Sequence, residues 1–358
     1  MAKVTIQDVA REAGVALGTV SNVLNHPERV RPATIEAVRE AMDRLGYAPN
    51  QSARLLAGGK NVTFGLVLPR LDHGFSLQIA NGAQTEAHRN GYDLLIANAA
   101  NSEALEDRYL AYFKGSQVAG VMMQPMADRF WRPAAPGPVP MVYLDVHSDA
   151  PGYFVGADNE AQGRLVTEHA IERGARHVAV FGQTEYVQLA YRASGIGRVA
   201  QDNPDVTFEF IDEGARNLAR DGYEIGRRLA ERPALERPDF VIAVTDVLAI
   251  GAIAGIRAAG LSVPEDIRVA GGDGNPLAWT GGVSLTTIAP PGYEIGRRGV
   301  QFLIEQIEVA KLAELTGEPV DRTVNRQAVV RSFLLARTST GMKPLPGSNP
   351  DFDLGTYL

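Results

Sequence analysis

Cysteine is absent from the 358-residue chain, which excludes disulfides, thiolate metal sites and cysteine nucleophiles. Histidine is sparse. None of the six (His26, His73, His88, His147, His169, His177) forms a pair spaced to hold zinc from one helix face, so neither a catalytic metal nor another cofactor is expected. No apolar run is long enough to span a membrane, and the start Met1-Ala2-Lys3 leads into a polar, patterned segment unlike a secretory signal. The expectation is a cytoplasmic protein without a membrane partner. Catalytic motifs are also missing. Gly58-Gly59-Lys60-Asn61 lacks the spacing and the Ser/Thr of a phosphate loop, and no G-x-S-x-G elbow occurs. Gly195-Ile196-Gly197-Arg198-Val199-Ala200 matches G-x-G-x-x-A in letters only, because the preceding strand-like run ends at Phe181, too far upstream to open into a dinucleotide turn.

What is present is ordinary globular material: 45% hydrophobic and 22% charged residues, with enough length for two or three domains. Charge is unevenly spread. Residues 1–60 hold 8 Lys/Arg against 6 Asp/Glu, whereas the rest of the chain carries −9 of a total of −7. A polyanion would therefore meet the N-terminal segment and be repelled elsewhere.

Within residues 1–46, Thr5 followed by Asp8 reads as a helix start, and Ile6, Val9, Ala10 and Ala13 recur at helical spacing until Gly14. A second helix over Leu17–Asn25 sets Val20, Val23 and Leu24 on one face and leaves Leu17, Gly18, Ser21, Asn22 and Asn25 on others. A third begins near Pro32, repeats Ile35, Val38, Met42 and Leu45, and stops at Gly46. Two short helices joined by a glycine-containing turn make a helix-turn-helix.

The stretch from Val4 to Val15, then Gly18–Ser21, Val23–Asn25, Val30–Thr34 and Leu45–Asn50 closely resembles the DNA-binding headpiece of LacI/GalR-type bacterial transcription regulators, and the remaining chain fits the same family. The resemblance makes Leu17–Asn25 the recognition helix in a major groove, with Leu17, Gly18 and Asn22 at base-reading positions. Thr5, Thr19, Ser21, Asn25, Arg31, Thr34 and Tyr47 fall at DNA-contacting positions, all but Tyr47 read as phosphate contacts that set register. Ala16 departs from the serine common in the family, which removes a helix cap. The segment 47–60 corresponds to a hinge. Asn50 caps a short helix through Ala57, Ala53 and Arg54 match the family, and Leu56 matches an apolar wedge that enters the minor groove. So brief a helix is mostly coil unless partner and DNA are present.

From Val62 to about residue 338, strand-like runs alternate with amphipathic helical segments, which implies parallel sheets covered by helices. The runs are too many for one small sheet. The fold class is therefore an all-α headpiece followed by an α/β domain of two Rossmann-like lobes. The resemblance implies the same periplasmic-binding-protein-like architecture, with chain crossovers near Asp145–Asp158, near Thr287–Pro291 and again beyond residue 320. In such lobes ligands sit at the carboxyl ends of strands. Phe75, Ser76, Gln124, Asp145, Thr245, Asp246 and Asp273 lie there, Asp246 being expected to cap the helix that follows it and Asp145 being open to a structural role. Position by position, Phe75, Gln124, Tyr186, Gln188, Arg192, Asn217, Thr245 and Asp273 match the family's effector pocket. Arg192 and Asp273 would clamp hydroxyls while Phe75 covers an apolar face. Pro290 cannot donate a backbone bond at the second crossover, and Trp279 suits core or pocket equally.

Residues 339–358 are proline- and glycine-rich at first and are expected to form a flexible tail. No heptad repeat appears, so a homodimer on a near-palindromic operator is expected. The function expected is a repressor whose DNA affinity is set by a small-molecule effector, a carbohydrate or a nucleoside. The alternatives, an exported sugar-binding protein and a Rossmann-type enzyme, leave residues 1–60 unexplained.

Overall fold

The computed structural model describes residues 4–48, 61–126, 132–182, 186–212, 217–275, 284–289 and 292–342. The expectations for Asn50, Ala53, Arg54, Leu56, Trp279, Pro290 and the segment from 343 onward fall outside them. The chain divides between Val62 and Thr63 into two compact units.

The first unit contains α1 (Ile6–Glu12), α2 (Leu17–Asn25) and α3 (Pro32–Leu45), with a 3-10 turn at Pro27–Arg29. Thr5 caps α1 reciprocally: its hydroxyl accepts from the Asp8 N–H, and the Asp8 carboxylate accepts from the Thr5 N–H at 3.0 Å. Gly46 ends α3 at φ 61°, a left-handed conformation that glycine adopts without strain. Val9, Ala10, Val20, Val23, Val38 and Ala41 close the core, with Ile35, Met42 and Leu45 packed around it.

The second unit has two lobes. In the first, β1 (Thr63–Leu68), β2 (Asp93–Asn98), β3 (Gly120–Met123), β4 (Met141–Leu144), β5 (Gly152–Ala157) and β11 (Asn325–Val330) form a six-stranded sheet in the order β11-β5-β4-β3-β1-β2. Every neighbouring pair is parallel. In the second, β6 (His177–Phe181), β7 (Thr207–Ile211), β8 (Phe240–Ala243) and β9 (Arg268–Ala270) form a parallel sheet in the order β7-β6-β8-β9. A bridge from Ala270 to Thr286 leads on to the antiparallel pair β10 (Thr287–Ala289) and β12 (Phe333–Leu335). The strands with fully buried patterns, such as β1 and β8, are near-continuous apolar runs, as expected of strands covered on both faces.

Helices cover the sheets: α4 (Gly74–Arg89), α5 (Glu103–Gly115) and α10 (Gly292–Thr316) in the first lobe, and α6 (Asn159–Glu172), α7 (Val187–Asp202), α8 (Ala219–Ala230) and α9 (Asp246–Ala258) in the second. Three helix pairs cross with backbones in contact. A methyl group added at Gly82 of α4 or Gly296 of α10 would collide with the carbonyl oxygen of Tyr293 or Ile79 respectively. Gly163 and Gly195 play the same part between α6 and α7, and Gly222 and Gly251 between α8 and α9. The G-x-G-x-x-A letters at Gly195 thus mark a helix crossing and not a nucleotide turn.

The chain passes between the lobes three times: from β5 to α6, from β10 to α10, and from β11 to β12. Two expectations need correction. The segment expected to be a loose tail is pinned at its start, where Thr338–Thr340 forms a 3-10 turn with Ser339 and Thr340 fully buried. The Ser339 hydroxyl donates to Val269 O at 2.6 Å and accepts from Thr286 N at 2.7 Å, while Thr340 Oγ1 lies 2.9 Å from His169 Nε2. Asp246 does not cap α9. Thr245 holds that position without a side-chain bond, and Asp246 is the first helical residue.

Candidate functional site

A cavity of about 160 Å³ lies where the two sheets present their strand ends to each other, and Phe75, Ser76, Gln124, Tyr186, Gln188, Arg192, Asn217, Thr245 and Asp273 all line it. The residues named from strand-end position or family resemblance are thus brought to one place, except Asp246, which lies outside the lining and bonds to the loop that carries Asp273. Asp145, Arg70, His73, Asn101, Met126 and Leu189 also line it. Arg70, Asp72 and His73 follow β1 directly, so the strand-end rule that found Phe75 could have found Arg70 and His73 as well.

Local structure explains the positions. His73 stands at the N-cap of α4, with Phe75 and Ser76 in the first turn, because β1 ends at the cleft and α4 begins there. Ser76 Oγ donates to Gln124 Oε1 at 2.9 Å, Gln188 Nε2 donates to Asp145 O at 2.7 Å, and Thr245 Oγ1 donates to Asn217 Oδ1 at 2.6 Å. Two links join the lobes across the cleft beside Asp273. Gln78 Nε2 donates to Gly274 O at 3.1 Å, and His73 Nε2 lies 3.3 Å from Asp273 Oδ2.

The cleft concentrates buried charge. Arg192 is 6% exposed and donates from Nε to Asn159 Oδ1 and from Nη1 to Val244 O, each at 2.9 Å. Burial draws its pKa below the ordinary arginine value, opposed by Asp273, Asp145 and Asp246. Asp273 is 3% exposed; burial works against its charge, but His73 and Arg192 prevail and hold it below the usual carboxylate range. Asp246 moves the other way, raised by burial and by its neighbour Asp273 despite bonds from Thr287 and Asn275. Its Oδ1 accepts from Thr287 Oγ1 at 2.5 Å, its Oδ2 accepts from Asn275 N at 2.6 Å, and its own N–H donates to Asp273 Oδ1 at 2.9 Å. Asp246 therefore anchors the loop that carries Asp273. Asp145 has φ 60° and is pushed up to about 6 by burial, although Arg192, His147 and Gln124 pull it back.

In the first unit, Leu17 is 44% exposed at the start of α2, Gly18 borders open space and Asn22 is exposed. Thr5 and Arg31 are exposed at the starts of α1 and α3, Thr19, Ser21, Asn25 and Thr34 are half-buried, and Asn25 Nδ2 donates to Ser21 Oγ at 3.3 Å. Tyr47 packs against the small core. Helix α2 carries no charged residue, and Ala16 gives it no side-chain cap.

The chain matches the family model for bacterial regulatory proteins of the lacI family over residues 5–50 and the one for a periplasmic binding protein-like domain over residues 167–329. It is 31% identical to the HTH-type transcriptional repressor PurR of Aliivibrio fischeri over 91% of this chain and 98% of that one. It is 30% identical to the ribose operon repressor of Halalkalibacterium halodurans, covering 85% of this chain and 90% of the relative. Among solved structures, the lac repressor dimer bound to operator and the anti-inducer ONPF superposes with a TM-score of 0.76 at 24% identity, covering 95% and 99% of the two chains. The complex of the transcriptional regulator CelR with cellobiose gives 0.60 at 26% identity, covering 94% and 100%. No helix among the described residues is long and apolar enough to cross a membrane. With a helix-turn-helix unit, a two-lobed unit closed on a polar cleft and relatives matched over nearly their whole length, the chain belongs to the LacI family of bacterial regulatory proteins: it is a DNA-binding transcription regulator controlled by a small-molecule effector, and not an enzyme.

Proposed function

We propose that the protein is a cytoplasmic repressor that binds a near-palindromic operator as a homodimer and that a sugar or nucleoside in the cleft alters this binding. The domains are the headpiece 1–46, the hinge 47–60 and the effector and dimerisation domain 61–338, with residues from 339 as a tail pinned at its start. Leu17 and Asn22 read base edges from α2, through a thymine methyl and an adenine edge respectively, while Gly18 leaves room for close approach. Thr5, Thr19, Ser21, Asn25, Arg31 and Thr34 position the phosphates, and Leu56 wedges into the minor groove with Asn50 and Ala53 holding the hinge. Tyr47 supports the headpiece core beside these contacts. CelR's complex with cellobiose and the name of the ribose operon repressor favour a carbohydrate over a nucleoside.

The observation that carries the effector reading is the convergence of buried Arg192 and Asp273 with Phe75, Gln124, Asn217 and Thr245 on one cavity between lobes. A ligand there touches both lobes, so it can favour one lobe arrangement through differential contacts. The test is operator affinity by fluorescence anisotropy across a ligand titration, for wild type, Arg192→Ala and Asp273→Ala. Each variant loses a bond to a charged partner worth about 1.5–3 kcal/mol, which raises the ligand concentration required at least roughly tenfold. Wild-type titration curves in both variants would mean that the effector binds elsewhere.

A further inference from the structure

The loop that carries Asp273 leaves β9 at Ala270 and returns at Thr286, and its base is closed from two directions. From within, Ala270 bridges Thr286, and Gly271 N donates to Thr286 O at 2.8 Å. From outside comes the C-terminal turn. The Ser339 hydroxyl, fully buried, donates to Val269 O at 2.6 Å and accepts from Thr286 N at 2.7 Å, so one side chain holds both ends of the loop. The returning arm is gripped again by Ser339 N, which donates to Ser284 O at 3.0 Å, and by Thr338 Oγ1, which accepts from Ser284 N at 3.1 Å.

The connection continues inward through two successive threonines. Thr286 and Thr287 lie in extended backbone, which sends their side chains to opposite sides. Thr286 Oγ1 faces the turn, 2.7 Å from Thr340 Oγ1 and accepting from Arg337 N at 2.7 Å. Thr287 Oγ1 faces the loop, where it accepts from Gly274 N at 3.0 Å and donates to Asp246 Oδ1. Asp246 in turn donates its N–H to Asp273 Oδ1 at 2.9 Å. Thr286, Thr287, Ser339 and Thr340 are all fully buried, and a buried hydroxyl that loses its partner is costly, so the members of this chain hold one another in place. Thr338, Ser339 and Thr340 do not line the cleft cavity. They reach it through Asp273.

Resting on the reading of this cleft as the effector site, we infer that Ser339 is a positioning residue for effector recognition: from outside the cleft, it sets the place of the Asp273 carboxylate by tying both ends of its loop. Ser339→Ala removes a donor and an acceptor together, leaves Val269 O and Thr286 N without that bond, and takes no atom from the cleft.

Hydrogen exchange by mass spectrometry over residues 269–275 is compared for wild type, Ser339→Ala, Thr340→Val and Ile256→Val, followed by thermal-shift titrations with D-ribose, D-glucose, cellobiose and adenosine. Thr340→Val keeps the side chain's shape while removing its hydroxyl, and it decides the question if Ser339→Ala does not fold. Ile256→Val takes a methylene from the fully buried core of the same lobe as a control of similar stability cost. The expected result is faster exchange over 269–275 in Ser339→Ala, and to a lesser degree in Thr340→Val, with β8 and α9 as slow as in wild type and the loop unchanged in Ile256→Val. The midpoint of a responding compound weakens roughly tenfold in Ser339→Ala and holds in Ile256→Val. Introduced into Asp273→Asn, Ser339→Ala adds less than about twofold, because the carboxylate it places is gone. Wild-type exchange over the loop, equal weakening in Ile256→Val, or a full additional loss in the Asp273→Asn background overturns the positioning role. A wild-type midpoint in Asp273→Asn, or silence from all four compounds in every protein, overturns the effector reading instead, and the exchange measurement still decides whether the turn holds the loop.

Discussion

Asp145→Asn should make the unliganded protein more stable. A rise from the ordinary aspartate value of about 3.9 to about 6 means that the folded chain holds the ionised side chain at a penalty of about 3 kcal/mol at neutral pH. The residue as a whole is half-buried, and solvent screening trims the expected gain to about 1–3 kcal/mol. For a unit of this size that corresponds to roughly 3–10 °C in melting temperature. The pH dependence fixes the cause. Asp145 binds its proton more tightly folded than unfolded, so protonation favours the folded state: the penalty is absent below about pH 4, grows as pH rises and is complete above about pH 6–7. Asparagine cannot titrate, so the stability difference between variant and wild type should be largest near pH 7.5, about half as large near pH 5 and almost nil near pH 4. Differential scanning calorimetry of both proteins across that range measures it. A variant that is less stable at pH 7.5, or a difference that does not shrink on acidification, would refute the reasoning. If the gain appears together with a lost ligand response, the carboxylate is a site held for binding at the expense of stability.

Gly296→Ala should lower the melting temperature of the second unit by an amount reflecting about 3 kcal/mol or more, because the added methyl meets the Ile79 carbonyl; Gly197→Ala, which faces open space on α7, should be neutral or stabilising by up to about 1 kcal/mol in the same calorimetric scan. Thr5→Ala removes one half of the capping box of α1 and should cost the headpiece about 1 kcal/mol, seen as faster amide exchange confined to the first unit. Leu56→Ala should weaken operator binding in gel-shift titration while the circular dichroism melt of the second unit stays unchanged; unaltered affinity would remove the wedge.

The headpiece was legible in the sequence because its signals are local: Thr5 with Asp8, Gly14, Pro32 and Gly46 mark helix ends within one turn of where they act. The strands His177–Phe181 and Arg268–Ala270 were readable for a similar reason, being short apolar runs bounded by polar turns. Strand β11 was not. Asn325–Val330 is polar and mostly exposed at a sheet edge, and it becomes a strand only through its partner β5, more than 150 residues earlier. At the other edge, Leu95 and Ile96 of β2 form an apolar run that reads as core yet is about half exposed. The cleft residues, Asp145 among them, followed from strand-end position and resemblance, but no local pattern shows that Asp145 Oδ1 is left without a partner or that Asp246 supports Asp273 across a 27-residue separation.

The glycine contacts between helix pairs have a mechanical consequence. With α4 against α10, α6 against α7 and α8 against α9 touching backbone to backbone, the helices on each sheet cannot roll or slide without steric collision, so each lobe behaves as a stiff plate. Two plates joined by three chain crossings have few degrees of freedom left. A swing of one plate against the other turns about the line through those crossings, which among the described residues include Asp158 between β5 and α6 and Arg331 and Ser332 between β11 and β12. Asn159, the first residue beyond one of these joints, accepts the Arg192 guanidinium, which places the cleft's buried cation one hydrogen bond from the axis.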